Sequence, residues 1–319
     1  MAADAVTPWW RNRRVIPWLV QAIAGLALLV LVAFLVGNLV RNLTNAGLLL
    51  SWSWIGNPAG FDVAETWLPF DASLPYWRAL LAGLVNTLRV VVLGLVGSTL
   101  LGTLVGVAAF SSNGLLRRLA RVYVELIRNI PLLLQLVFWY FVVFLTLPGG
   151  RQAIQLPGLV LAKSGLYLGG AQLVNGVWQA PLHYSVEFGA LLTGLVIYTA
   201  AFIAEVVRGG VASVPAGQWE AARSLGFSPL QTLQRIVLPQ ALRVIIPGLN
   251  SQYISLAKNS SLAVACGYTD LYSVAETTLN QTGRAVEVVL ILLGAYLVID
   301  LLISALMNGV NRLVLIQER

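Results

Sequence analysis

Residues 15–40 form a run of 26 positions without a single charged side chain. A helix needs about 20 predominantly apolar residues to cross the hydrocarbon core of a bilayer, so this run is long enough to span. It is also too long for the apolar region of a secretory signal, which holds roughly 7–15 residues, and no small-residue cleavage site follows it. Two further runs, 90–116 and 129–150, are equally free of charge. Run 188–204 is slightly short and continues through Glu205 to Val207, while 244–269 and 288–311 carry one interior charge each, Lys258 and Asp300. Six spans are expected, and the fold class is an all-α polytopic membrane protein. Only 10% of the residues are charged, against about 25% in soluble domains, which agrees with lipid as the main solvent.

The net charge of +7 raises the question of nucleic acid, but arginine sorting across a bilayer accounts for it, and no nucleic-acid partner is expected. With the N-terminus inside, Arg11, Arg13, Arg14, Arg117, Arg118, Arg121, Arg128, Arg208, Arg223, Arg235, Arg243, Arg312 and Arg319 fall on inner segments. Arg41, Arg78, Arg151, Lys163 and Arg284 fall outside, with Arg89 near an outer helix end. That asymmetry puts both ends in the cytoplasm. One cysteine, Cys266, and one histidine, His183, exclude an internal disulfide and multi-histidine metal chemistry; no metal site is expected. An intramembrane hydrolase or transferase would need a zinc cluster or a supported serine–histidine pair, and neither is present.

Two outer segments are unusual. Residues 42–78 carry Trp52, Trp54, Trp67, Tyr76 and Trp77, an aromatic belt suited to a cap of helix and loop at the interface. Residues 151–184 are apolar but broken by glycines and Lys163, which favours a short outer hairpin over another span. Gly102 and Gly106 form a GxxxG pair that allows close helix packing.

The most punctuated stretch is EAARSLGFSPLQTLQRIVLP, residues 220–239, on the arginine-rich side between the fourth and fifth spans. Pro215 suits a first helical turn, 216–225 holds good helix formers, and Gly226 stands where a helix C-terminus needs a left-handed residue. Ser228, Pro229 and Gln231 make a capping box for a second helix, which is expected to end at Pro239. An ordinary connector has no need of a stiff, twice-capped elbow.

The spacing Glu220-Ala221-Ala222, three residues, Gly226, nine residues, then Ile236-Val237-Leu238-Pro239 resembles the EAA motif of permease subunits in bacterial ATP-binding-cassette importers. GLVNTLRV, ELIRNIPLLLQLVFWY, YTAAFIAEVVRGGVASVPAGQWEAARSLG and YISLAKNSSLA extend the resemblance over residues 80–313, and look like the polar-amino-acid branch. The extra first span, aromatic outer loop and 151–184 insertion resemble its glutamate, glutamine, aspartate and general amino-acid members. The resemblance implies a core over 81–319, with residues 1–80 added as a cytoplasmic tail, a span and an outer loop. The elbow, about 214–239, would be a coupling helix docked on a separate ATPase, with Glu220 facing the ATPase or bracing the elbow and Gly226 making the turn. Implied partners are two ATPase subunits, a second permease (this chain or a related one) and an extracytoplasmic amino-acid-binding protein. The implied location is the bacterial cytoplasmic membrane. No cofactor is expected in this chain, with ATP and Mg held by the ATPase. The chain itself lacks a G-x4-G-K-[ST] phosphate loop.

Intramembrane polar residues give the path candidates, because charge in the hydrocarbon region should face protein or water. Ser251, Ser255 and Lys258 share a stripe flanked by Gln252 and Asn259. Tyr296, Asp300, Ser304 and Asn311 share another, Tyr198, Thr199 and Glu205 lie on the fourth span, and Gln135 and Trp139 on the third. They either line a route for a zwitterion or pair with each other, Lys258 with Asp300 and Glu205 with Arg208. The rival function is an ion-gradient-driven amino-acid transporter using Lys258, Asp300 and Glu205; it lacks a clear inverted repeat and leaves the elbow without a task.

Overall fold

The computed structural model describes residues 16–45, 47 and 50–314. Arg11, Arg13, Arg14 and Arg319 of the arginine count, and Val15 of the first run, lie outside them. The chain divides into two compact units, Met1–Trp52 and Ser53–Arg319. The first contains helix α1, Ile16–Asn45, whose 30 residues extend for about 45 Å at 1.5 Å each, with apolar side chains on every face.

The second unit begins with a short turn, Ser53–Gly56, and a loop that leads to α2, Tyr76–Ala108. The run read as 90–116 is therefore displaced: α2 starts earlier, enclosing Arg78 and Arg89, and stops before Asn113. The Asn113 side chain accepts from the backbone amides of Leu115 (2.9 Å) and Leu116 (3.3 Å), an asparagine N-cap that starts a new helix, α3, Gly114–Asn129. A charge-free stretch had concealed this helix boundary.

The run 129–150 is also redrawn. Helix α4, Leu132–Phe138, runs on as a π turn, Trp139–Phe144, and this piece is bent from α3 by 103°. Pro131 causes the break, since proline lacks an amide hydrogen and pushes the preceding residue out of helical geometry. Ile130 is accordingly extended, at φ −103° and ψ 128°.

After α4 the chain leaves helical structure, and here the all-α expectation is corrected. Residues 154–184 hold six short strands: β1 Ile154–Leu156, β2 Leu159–Ala162, β3 Gly165–Leu168, β4 Gln172–Val174, β5 Val177–Gln179 and β6 Leu182–Tyr184. β1-β2-β3-β6 form an antiparallel sheet, and β4-β5 a separate hairpin. The expected single hairpin is thus a small β unit. The sequence carried its reason: Asn175-Gly176 forms a two-residue turn with φ of 51° and 81°, the pairing that type I′ hairpins require. Alternate residues Val160, Ala162, Tyr167 and Trp178 form its core. His183 is exposed and stacks on Tyr167 at 4.6 Å.

Five helices follow: α5 Val186–Ala212, α6 Ala216–Ser224, α7 Pro229–Thr232, α8 Leu238–Asn259 and, after a 3-10 turn at Ser260–Cys266, α9 Leu271–Thr282. The last is α10, Ala285–Val314. By length and composition α1, α2, α5 and α10 can cross a membrane, and the α3/α4 pair makes a fifth if it counts as one broken span. The run 244–269 does not emerge as one helix; α8 ends at Asn259 and the 3-10 turn at Ser260–Cys266 follows it.

The centre of this unit is the α2–α5 contact. A Cβ on Gly102 would stand 2.7 Å from the Ile203 side chain and 2.8 Å from the Ala200 carbonyl, and one on Gly106 would stand 2.8 Å from the Ala204 carbonyl. The GxxxG pair brings the two backbones together in the way such motifs allow.

Candidate functional site: the elbow and the buried polar groups

The elbow forms from the expected signals. α6 closes on Gly226, which adopts φ 80°; the Gly226 amide donates to the Arg223 carbonyl (3.0 Å) and the Phe227 amide to that of Ala222 (3.1 Å). This two-bond pattern is the glycine-dependent Schellman closure. Ser228 then caps α7 with both bonds of a capping box: the Gln231 amide donates to Ser228 Oγ (3.3 Å) and the Ser228 amide to Gln231 Oε1 (3.0 Å).

The second helix does not end at Pro239. It passes through a π turn, Leu233–Val237, into α8, and Pro239 lies in the first turn of that helix. A proline ring inside a regular helix collides with the carbonyl four residues back. The wider π turn immediately before Pro239, closed by Leu238 N donating to Leu233 O, relieves that conflict.

The elbow has an inner and an outer face. Ala222 is buried, and Trp219, Leu233 and Leu238 pack against Val207, Val211, Val214, Val237 and Ala241. Leu225 and Leu230 are 76% and 62% exposed, and Glu220, Ala221 and Gly226 face outward as well. The Glu220 carboxylate has no charged or hydrogen-bonding partner among the described residues. Ile236 and Pro239 are half-buried. A cavity of about 510 Å³ between the elbow and the end of α5 is lined by Val211, Val214, Trp219, Arg223 and Pro229.

The other candidates are dispersed. Lys258 Nζ lies 3.4 Å from Asp300 Oδ2, joining α8 to α10; Ser255 is exposed on the same helix and Asn259 half-buried. Arg208 Nε donates to Glu205 Oε2 at 2.9 Å. Both face a cavity of about 690 Å³ between α2, α3 and α5 that Arg121 and Arg128 also line. Thr199 is buried, and Tyr198 packs on Phe202 at 4.9 Å. Gln135 is buried at the α3/α4 break, where its Nε2 donates to the carbonyls of Ile127 and Ile130, each at 2.9 Å. It satisfies the acceptors that the interrupted helix leaves open.

One charged pair escaped the sequence reading. Glu65, in the loop before α2, pairs with Arg89 at 3.0 Å. Both side chains are largely buried, Arg89 at 4% exposure and Glu65 at 15%. The available signal was the position of Arg89 at the edge of a long charge-free run; nothing in the local pattern pointed to Glu65.

The profile of the family described as "Binding-protein-dependent transport system inner membrane component" matches residues 98–315. The chain is 36% identical to the general L-amino acid transport system permease protein AapQ of Rhizobium johnstonii, over 92% of each chain. It is 33% identical to the glutamate/glutamine/aspartate/asparagine transport system permease protein BztB of Rhodobacter capsulatus, over 94% of each. Among solved structures, a chain from the crystal structure of an amino acid ABC transporter with histidines superposes with a TM-score of 0.58 at 26% identity. The match covers 74% of this chain and 94% of that one.

Proposed function

Because the chain belongs to the family of binding-protein-dependent transport inner-membrane components, and is a multi-pass permease subunit of such an importer, we propose that its cargo is a polar L-amino acid. The names of AapQ and BztB support that cargo class. The cargo is glutamate, glutamine, aspartate, asparagine or a broader set, moved by alternating access in the bacterial cytoplasmic membrane. ATP and Mg are held by two separate ATPase subunits, and a second permease and an extracytoplasmic amino-acid-binding protein complete the assembly. The chain crosses the membrane six times with both ends inside: α1, α2, the broken α3/α4 pair, α5, α8 and α10. Residues 81–319 are the transport core, and 1–80 add a tail, a span and an outer loop.

The single observation carrying this reading is the elbow. Glu220, Ala221, Ala222, Gly226, Ile236, Leu238 and Pro239 stand at the motif spacing. The chain folds there into a capped, two-helix corner whose inner face packs on α5 and α8 while Leu225, Leu230 and Glu220 point away. A rigid corner anchored to two helices transmits a push from a docked motor, whereas a loose loop absorbs it. Gln135, Tyr198, Thr199, Glu205, Ser255, Lys258, Asn259 and Asp300 are the candidates for the route. No observation favours the ion-driven rival, since Glu205, Lys258 and Asp300 each have an opposite charge beside them.

The test is purification of the tagged chain in mild detergent with identification of everything retained, repeated for Gly226→Pro. The expected result is an ATPase that accompanies the wild type and is lost from the variant. A wild-type chain recovered alone under several gentle conditions overturns the coupling role of residues 220–239.

A further inference from the structure

The Arg89 guanidinium is enclosed on all sides that the structure describes. Its Nη2 donates to Glu65 Oε1 (3.0 Å), and its Nη1 to the Glu65 carbonyl and to Asn86 Oδ1 (3.3 Å each). It lies 4.3 Å from the Trp67 ring and 5.2 Å from the rings of Tyr184 and Phe188, within cation–π range. The second carboxylate oxygen of Glu65 accepts from the backbone amide of Ser185 (2.9 Å), the N-cap of α5. One carboxylate is therefore held by a guanidinium and by the positive end of a 27-residue helix. That is a complete set of donors for a carboxylate of any origin.

Three features set this apart from an ordinary structural ion pair. Glu65 is held at φ 50°, a left-handed conformation that glutamate rarely adopts and that costs free energy wherever it occurs. Its neighbour Trp67, the other half of the cover, is 60% exposed, so the occupant and its lid are reached from the outer side of α2. Around the guanidinium there are also buried polar atoms without hydrogen-bond partners, Arg89 Nε and the hydroxyl of Tyr268. Tyr268 itself is 2% exposed and its ring lies 5.6 Å from that of Phe188, which also faces Arg89. A pair placed there only for stability would be expected to satisfy them.

We propose that the Arg89–Ser185 cradle is a carboxylate-binding site for transported amino acid, and that Glu65 is its resident occupant, displaced when substrate enters. The inference rests on the amino-acid reading of the cargo. Exchange of one carboxylate for another leaves the charge of the buried site unchanged, so no stage requires an unpaired guanidinium in a dry environment. Release of Glu65 relaxes its backbone and uncovers Arg89 as Trp67 moves off. Arg89 immediately precedes the apolar stretch from Val90 to Ala108, the place where a carboxylate leaving water first needs a countercharge.

An exchangeable occupant and a structural partner differ in symmetry. Removing either half of a structural pair strands the other charge, so both removals damage the protein alike. Removing an occupant leaves the receptor working. The experiment is uptake of radiolabelled L-glutamate and L-glutamine into proteoliposomes holding the complete transporter with its binding protein, for wild type, Glu65→Gln and Arg89→Gln. Recovery of the ATPase with each variant monitors assembly. Glu65→Gln is expected to retain uptake within about twofold of wild type or to raise it. Arg89→Gln is expected to assemble and lose at least about 30-fold, the lower range for truncating a buried hydrogen-bonded charge partner. Equal loss in both variants, or no loss in Arg89→Gln, overturns the proposal. Should Arg89→Gln not assemble, Glu65→Gln decides alone: retained uptake supports the displaced occupant and lost uptake refutes it. A wild-type transporter that moves no amino acid offered to it overturns the cargo reading instead, an outcome separable from the others.

Discussion

Single residues here do work that their types alone do not announce. Gly226 has open space around the position of a Cβ but a φ of 80°, so its side-chain restriction is conformational rather than steric. Gly226→Ala should cost the elbow about 1–2 kcal/mol, the penalty of an L-residue in left-handed geometry, and should be read as a severalfold drop in ATPase recovered with the chain. Asp270 makes a different point. It caps α9 by accepting from the Ser273 amide (2.9 Å), yet burial pushes its carboxyl up to about 7. The unfolded value is about 3.9, so the protonated form favours the fold; that stability is present at low pH and is lost as pH rises through 7. Asn keeps the cap and cannot ionise. Asp270→Asn should therefore melt above wild type at pH 8, with the gap closing toward pH 5 in a thermal denaturation series. The capping box at Ser228 and the turn at Gly226 were legible because local backbone chemistry fixes them within four residues. Glu65 was not, because its partner lies 24 positions away and its meaning exists only once the loop folds back.

At the scale of elements, boundaries were harder to read than existence. A charge-free run has no mark where α2 ends at Ala108 and Asn113 begins the next helix, and hydropathy is blind to the 103° bend at Pro131. The β unit was missed because its apolar strands, only three or four residues long, look like fragments of a span until the Asn175-Gly176 turn is given its weight. Packing between elements yields two tests. Gly102→Val would force α2 away from Ile203 and the Ala200 carbonyl, so it should destabilise the core by roughly 1–3 kcal/mol, as overpacking does, seen as a lower melting temperature in detergent. The paired change Leu225→Ala and Leu230→Ala removes two exposed side chains from the elbow. It should leave that melting temperature unchanged while releasing the ATPase during purification.

For the whole molecule, the two compact units suggest a division of labour. The family match begins at residue 98 and ends at 315, within the second unit. A chain beginning at Ser53 should consequently still insert and recover an ATPase, measured by the same purification as the full chain; failure to do so would make the first span part of the core. The class of protein was legible from long apolar runs because bilayer thickness imposes a length. The path was not, because polar side chains on four different helices can be assigned partners only after the helices are placed. The π turn at Leu233–Val237 has a bearing on how this architecture tolerates change. A π turn is an α-helix carrying one surplus residue, and each residue rotates a helix by about 100°. Losing any one residue there would restore a regular ladder at little local cost, yet it would swing everything N-terminal to it around the axis of α8. Leu225 and Leu230 would then point along a different azimuth. The five residues thus act as an angular dial between corner and helix, and a lineage that lengthened or shortened them by one would have to re-aim its motor to match.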